Sequence, residues 1–332
     1  MKRFGNLYEK IISLENLRMA DQKARKGKLL SIGVIKHDQA RGENIIRLHD
    51  TLKNKDYKTS DYTVFKMITD NGKEREIFRL PYFPDRILHH AVMNIMEPIW
   101  LSTLTTDTYS CIKGRGIHGV VRKLKQEIQL QDKTKYCLKI DIRKFYPSVD
   151  HDILKVIIRR KIKDDDLLSL LDEIIDSAAG LPIGNYLSQF FANLYLSGFD
   201  HWIKEEKKVK YYYRYADDMV FLHSDKEFLH GLLVEINHFF NNNLNLQLKS
   251  NFQVFPVSAR GIDFVGYKFF HTHTLIRKSI KVRFCRRVAR INKQPAITRQ
   301  AFNQKICSWN GWMKHCNAIH LMKTIIPQNE AI

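Results

Sequence analysis

The chain has 332 residues, enough for about two domains, and 55 Lys and Arg against 35 Asp and Glu leave a net charge of +20. Such an excess draws polyanions and makes nucleic acid the first partner to consider, with charge that serves solubility alone as the blander reading. Five cysteines, an odd number with no C-x-x-C pair, argue against a disulfide framework and a zinc knuckle. The opening MKRFGNLYEKIISLENL lacks an apolar core, and no apolar run approaches ~18 residues, so neither a signal peptide nor a membrane span is expected and a cytoplasmic location is.

Residues 8–30 read as a helix that turns basic at Lys23, Arg25, Lys26 and Lys28. A charge-rich, loop-like segment follows. Asp70-Asn71-Gly72 is a turn signal between strand-like runs at 62–68 and 75–80. Residues 86–100 carry Ile87, Val92, Ile95 and Ile99 near helical spacing. The stretch YCLKIDI (136–142) alternates as a strand, and 151–162 reads as a helix with Ser148 or Asp150 as its cap. Residues 184–202 read as one long helix opened by Gly180-Leu-Pro-Ile-Gly184. Runs at 211–215 and 219–223 are strands separated by a short acidic turn; 227–241 is a further helix, and 261–270 is strand-like again. Beyond about residue 275 the chain is basic and then helical, and reads as a small separate lobe. This order predicts an α+β sheet domain with helices packed on one face.

The chemistry starts at Tyr215-Ala216-Asp217-Asp218. Two strand runs joined through two carboxylates gain little as a turn, but a divalent cation offsets their repulsion. Two hard cations roughly 3.5–4 Å apart, held by carboxylates, drive in-line phosphoryl displacement. Taken alone, the motif is weak evidence and reads first as a solvated acidic turn. Asp141 ends the strand over 136–142 and can meet Asp217 across a sheet; taken alone, it is equally a strand-end cap. Mg2+ takes oxygen ligands and keeps some waters, so Asp141, Asp217 and a backbone carbonyl near Ile142 suit two ions. In the basic tail, Arg283, Arg286, Arg287 and Arg290 recur at i, i+3, i+4 and i+7. One helix face then presents four guanidinium groups, with Val282, Cys285 and Val288 towards another. That face can follow a phosphate backbone without reading bases, or simply be solvated. Trp309 and Trp312 read as core of this lobe, and His271 and His273 as loop residues.

The ordered blocks RLPYFPDR (79–86), YSCIKGRGIHG (109–119), KIDIRKFYPSVDH (139–151), GLPIGNYLSQ (180–189), RYADD (214–218), LQLKSN (246–251) and FVGY (264–267) resemble the successive blocks of reverse transcriptases. The resemblance covers about residues 73–270. It implies a right-hand polymerase fold with fingers, palm and a small helical thumb: an N-terminal helical extension over 1–40, fingers and palm over 41–270, and a basic thumb over 271–332. It makes Asp141, Asp217 and Asp218 the triad for two Mg2+ ions, with Mn2+ an alternative and the Ile142 carbonyl a further ligand. Tyr146 matches the gate whose ring clashes with a ribose 2′-hydroxyl. Lys249 matches a lysine that protonates the leaving pyrophosphate. Lys73 and Arg75 are candidates for the triphosphate, or a solvated basic turn. Ile183, Gly184 and Gln189 are placed against the incoming dNTP, glycine allowing close backbone approach.

Two features resemble the reverse transcriptases of diversity-generating retroelements. Ile183-Gly184 stands where group II intron and retroviral enzymes usually carry Gln-Gly. The closing stretches VFPVSARGIDFVGY (254–267), RKSIKVRF (277–284) and SWNGWMKHCN (308–317) are the other. That lineage implies a template RNA, a cDNA product with errors at template adenines, and a small basic accessory protein. No maturase, endonuclease or RNase H region is expected. A reverse transcriptase of an antiphage-defence system shares every catalytic residue, and a non-catalytic RNA-binding relic of the palm is the rival of a different class.

Overall fold

The structure is a computed structural model and describes residues 3–68, 72, 74–294 and 297–326. The chain forms two compact units. One holds Met1–Thr106, Arg143–Trp202 and Phe239–Gln247; the other holds Asp107–Ile142, Ile203–His238 and Leu248–Ile332.

The first unit is helical apart from one hairpin. Where the sequence predicts a single helix over 8–30, the chain forms two, Tyr8–Ile12 and Leu14–Ala24. Ser13 breaks them: it is extended, and its hydroxyl accepts from the Asn16 amide at 3.2 Å as a cap. The segment predicted as loop holds the helices Ile32–Asp38 and Arg41–Lys53. Ile45, Leu48 and Leu52 are the buried stripe of the second, and the charges between them hide that period in the sequence. The fully buried Asp21 ties these elements together, accepting from Arg25 at 3.0 Å, Arg41 at 2.7 Å and the Tyr82 hydroxyl at 2.5 Å. Burial alone pushes this carboxyl up; the bonds from Tyr82, Arg25 and Arg41 outweigh it and hold the group below the ordinary carboxylate range.

The helix predicted over 86–100 is Ile87–Leu101. Its Trp100 packs on Phe190 and Phe191, with ring centroids 6.2 and 5.7 Å apart. Those rings belong to Tyr186–Tyr195, which is shorter than the helix predicted over 184–202: it starts after Asn185 and stops at Leu196, before Ser197–His201. Of the two candidate caps for His151–Arg159, the chain uses Asp150, which accepts from the Ile153 amide at 3.1 Å. Strands β1 (Thr63–Ile68) and β2 (Glu74–Arg79) pair as the predicted antiparallel hairpin.

The second unit is built on an antiparallel sheet of β3 (Tyr136–Asp141), β4 (Tyr211–Tyr215), β5 (Asp218–His223) and β6 (Gln253–Pro256), in the order β4-β5-β3-β6. The middle of β5 is buried on both faces, which explains its continuous apolar run. The single strand predicted over 261–270 folds back on itself. Strands β7 (Ile262–Phe264) and β8 (Tyr267–Phe269) pair across Val265-Gly266, and β9 (Thr274–Ile276) joins them. Both turn residues have positive φ, +43° and +89°, as tight hairpins require. A Cβ on Gly266 would lie 2.5 Å from Trp312, so only glycine fits. The basic helices Lys278–Asn292, Arg299–Met313 and Ile319–Ile325 follow. Their Phe284, Val288 and Ile306 share one apolar core with Val220 and Phe264 of the sheets. Trp309 stacks on Phe284 at 5.5 Å and Trp312 meets Tyr267 at 5.3 Å, both as packing residues. Among the described residues no helix is long and apolar enough to cross a membrane.

Candidate active site

Strand register builds the acidic site. Tyr215 pairs with Asp218, which leaves Ala216 and Asp217 as a two-residue turn, Ala216 at φ +55°. A left-handed alanine costs roughly 1–2 kcal/mol, so the turn is not there for its own stability. The neighbouring strand is β3, and its register sets Asp141 directly opposite Asp218. The sequence points to a meeting of Asp141 with Asp217; the cross-strand partner is Asp218, because the turn absorbs only Ala216 and Asp217. Asp217 is close as well. Its carboxyl is pushed up by burial and next by the charge of Asp141. The Asp218 carboxyl is raised to about 6, first by burial and further by Asp141, against the opposing pull of Lys139. Like charges directly opposed on paired strands are destabilising.

Two lysines partly neutralise the cluster. The Lys249 ammonium donates to Asp141 Oδ2, and its amide donates to the Asp141 carbonyl at 2.9 Å. The Lys139 ammonium lies 3.4 Å from Asp218 Oδ1 and donates to the Asp263 carbonyl at 2.5 Å. Among the described residues, Asp141 Oδ1 and Asp218 Oδ1 are nevertheless buried without a hydrogen-bond partner. Buried acceptors are rarely left so. A cavity of about 390 Å³ is lined by Asp141, Asp218 and Lys139. Hard oxygens that lack a hydrogen-bond donor and border open space fit a divalent cation. Among the described residues the carboxylates do not close into a three-ligand cluster, and Mg2+ commonly relies on one or two carboxylates, waters and substrate phosphates. Ile142 follows directly on Asp141, and its backbone bridges to Leu248.

The first unit carries the other candidates. Tyr146 opens the short turn Tyr146–Ser148, half-buried, its ring edge-on to Phe145 at 5.7 Å. Its carbonyl accepts from the Leu181 amide at 2.8 Å, and the Ile183 carbonyl accepts from the Phe78 amide of β2 at 2.8 Å. These bonds stitch the blocks of Tyr146 and Ile183 to the hairpin. Gly184 has φ +121°, and a Cβ there would lie 2.4 Å from the Phe78 carbonyl oxygen. The close approach this glycine permits is therefore to β2. Gln189 is exposed on its helix, and Arg75 is exposed on β2 opposite Met67. Lys73 lies outside the described residues.

A feature missed in the sequence is a cleft of about 900 Å³ in the first unit. Lys28, Lys36, Arg47, Arg79 and Arg86 line it, with no carboxylate among its described lining residues. The Lys28 ammonium is pushed down by burial and then by Arg86 and Arg79. The Arg47 guanidinium sits 4.9 Å over the Phe83 ring. Cations interleaved with aromatic rings suit the phosphates and bases of single-stranded nucleic acid. Only the basic end of the first helical segment signals it, since the other cations are spread over the sequence and gathered by folding. In the second unit, Lys278–Asn292 buries Ile280, Phe284, Val288 and Ile291. It exposes Arg286, Arg287 and Arg290, while Arg283 is half-buried. Arg283 precedes Phe284 and sits at the edge of the apolar stripe.

Comparison with known proteins gives the family. The family described as reverse transcriptase (RNA-dependent DNA polymerase) matches residues 58–269. Protein YkfC of Escherichia coli is 26% identical over 273 residues, covering 68% of this chain and 69% of that protein. The group II intron-encoded protein LtrA of Lactococcus lactis is 24% identical over 218 residues, covering 61% of this chain but only 36% of that protein. Among solved structures, telomerase of Candida tropicalis in complex with a fragment of telomeric RNA is similar with a TM-score of 0.52 at 11% identity, over 80% of this chain and 55% of that one. Identity that low concerns the fold alone, and the fold is that of a right-hand polymerase. The family match spans more than half of the sequence, and the chain belongs to the reverse transcriptases, the RNA-directed DNA polymerases.

Proposed function

We propose that this reverse transcriptase copies the RNA of its own retroelement into cDNA, with frequent errors opposite template adenines, and that the cDNA diversifies a target gene. The reaction is attack of a primer 3′-hydroxyl on the α-phosphate of a dNTP. Asp141, Asp217, Asp218 and the Ile142 carbonyl would hold two Mg2+ ions, or Mn2+, which supply charge stabilisation for in-line displacement. Tyr146 excludes a 2′-hydroxyl, Lys73 and Arg75 take the triphosphate, and Lys249 carries the proton for the leaving pyrophosphate. The cationic cleft takes single-stranded template, and Arg286, Arg287 and Arg290, with Arg283 at the edge, follow the duplex backbone. In the terms of the hand, residues 1–40 are an extension, 41–270 fingers and palm, and 271–332 thumb. A small basic accessory protein is the expected partner and the cytoplasm the expected location.

Ile183 carries the diversifying reading over that of an antiphage-defence enzyme, which would share the catalytic groups. An aliphatic side chain offers none of the hydrogen bonds of a glutamine beside the nascent pair. Its backbone is pinned to Phe78, so the block cannot slide to compensate. Insertion fidelity is a difference of transition-state energies, and losing about 1.4 kcal/mol of it means tenfold more errors. Template adenine, like thymine, pairs with its correct partner through only two hydrogen bonds and so has a smaller margin than guanine or cytosine; the preference for adenine over thymine rests on the resemblance to the diversifying lineage. Sequencing of cDNA made on one template should show clustered errors opposite A for the wild type and fewer for Ile183→Gln. Uniformly low errors at all four template bases in the wild type remove the diversifying role and leave reverse transcription.

A further inference from the structure

The Gly116–Glu127 helix buries Val120, Val121 and Leu124. His118, Arg122 and Lys125 recur at i, i+4 and i+7, so they form one stripe of its surface. The end of the Arg299–Met313 helix packs against that stripe. The rings of His118 and His315 stack with centroids 4.1 Å apart and planes 23° from parallel. The Lys125 ammonium donates to the His315 carbonyl at 3.4 Å. The remaining charges of the first helix are turned elsewhere: Lys123 pairs with Asp107, Glu127 accepts from the Tyr213 hydroxyl, and Arg115, just before the helix, donates to the Thr108 carbonyl.

Five basic groups therefore converge from two elements distant in sequence. Among the described residues, the charged groups that act most strongly on His315 are His118, Arg122, Lys125 and Lys314, and none is an acid. The neighbouring Cys316 thiol is pushed up by burial, opposed by Lys125. His271 is engaged with the Ile128 carbonyl at 2.7 Å. Packing like charges together is destabilising unless an anion joins them. The stripe from His118 to Lys125 rises about 10 Å along the helix, long enough to meet several phosphates of one strand.

We propose that this junction is a contact for the phosphate backbone of bound nucleic acid, separate from the arginine face of the Lys278–Asn292 helix. The inference rests on the family's binding of nucleic acid and goes beyond it. In the free protein, burial and then the surrounding bases hold His315 below the ordinary imidazole range. Phosphates reverse the local field, so binding brings proton uptake and affinity rises as pH falls.

The test is fluorescence anisotropy of the full chain with an RNA–DNA primer–template duplex, at constant ionic strength across about pH 5.5–8.5, spanning the ordinary histidine range. Wild type should gain affinity as pH falls, by up to about tenfold per pH unit for one proton taken up. His118→Gln/His315→Gln should flatten that gain. Arg122→Ala/Lys125→Ala should reduce the salt slope by about two. His315→Arg should keep affinity high and insensitive to pH, a result that a purely structural histidine pair would not give. Unchanged pH and salt slopes in both double variants overturn the proposal and leave an acidic protein as the junction's partner. Wild type that binds no duplex at all overturns the nucleic-acid reading itself, and the proposal with it.

Discussion

The two units each gather like charge, with opposite sign and by different means. In the second unit, Asp141 and Asp218 face one another across paired strands, with Asp217 in the adjoining turn. In the first, five Lys and Arg and no carboxylate stand among the described residues that line one cleft. Each arrangement gathers like charge that a counter-charge would offset, and the proposed function puts divalent cations at the first cluster and phosphates at the second. The difference is in construction. Sheet register needs only three short strands to place the carboxylates, whereas the cleft needs separate helices and a hairpin.

The largest expected effect comes from removing one carboxylate. Asp141→Ala should cost several kcal/mol of barrier, or orders of magnitude in dNTP incorporation on an RNA template, with an unchanged circular dichroism spectrum. Activity within tenfold of wild type would mean that the opposed pair is structural. In the first unit, Tyr146→Ala should reduce discrimination against ribonucleotides by roughly tenfold to a hundredfold, read as the ratio of kcat/KM for dNTP and rNTP. An unchanged ratio would place the gate elsewhere. The cleft is probed by Lys36→Ala/Arg47→Ala, which should flatten the salt dependence of single-stranded RNA binding by about two units if both meet phosphates. A parallel shift with the same slope would make those cations structural.

The smallest effect has the most specific sign. Burial pushes the folded Asp218 carboxyl from the ordinary value of 3.8 up to about 6. The unfolded chain thus loses its proton first, and wild type loses stability as pH rises between these values, then levels off. Asp218→Asn escapes that loss. Its metal-free form should melt a few degrees higher at neutral pH, on the order of 1 kcal/mol after solvent screening, with the advantage gone below about pH 4. Mg2+ should stabilise wild type and leave the variant nearly unchanged. A variant that melts lower in metal-free buffer would show that Lys139 already satisfies the carboxylate.

The sequence makes the acidic site readable because strand alternation and short spacing survive in one dimension: 136–142, 211–215 and 219–223 appear as strands within a residue or two of where they lie. Register is what the pattern omits, so Asp218 rather than Asp217 proves to be the residue opposite Asp141. The helices Ile32–Asp38 and Arg41–Lys53 are hidden by charges that crowd a narrow apolar stripe, and by Asp21, which takes one donor, Arg25, from the end of its own helix and two, Arg41 and Tyr82, from farther along the chain. The turn at Val265-Gly266 is disguised by a β-branched residue in a left-handed conformation. Gly184 is visible as a glycine, but its reason, the Phe78 carbonyl 2.4 Å from any Cβ, exists only in three dimensions.

The most direct measurement is primer extension on a simple RNA template, run side by side for wild type and Asp217→Ala/Asp218→Ala, with RNA affinity measured on the same samples. Wild type should incorporate dNTPs as the template dictates, and only with a divalent cation present. The double variant should lose synthesis by orders of magnitude while binding RNA nearly as tightly. Full-rate synthesis by the double variant would contradict the assignment of these carboxylates, and a folded wild type without templated synthesis would contradict the polymerase itself.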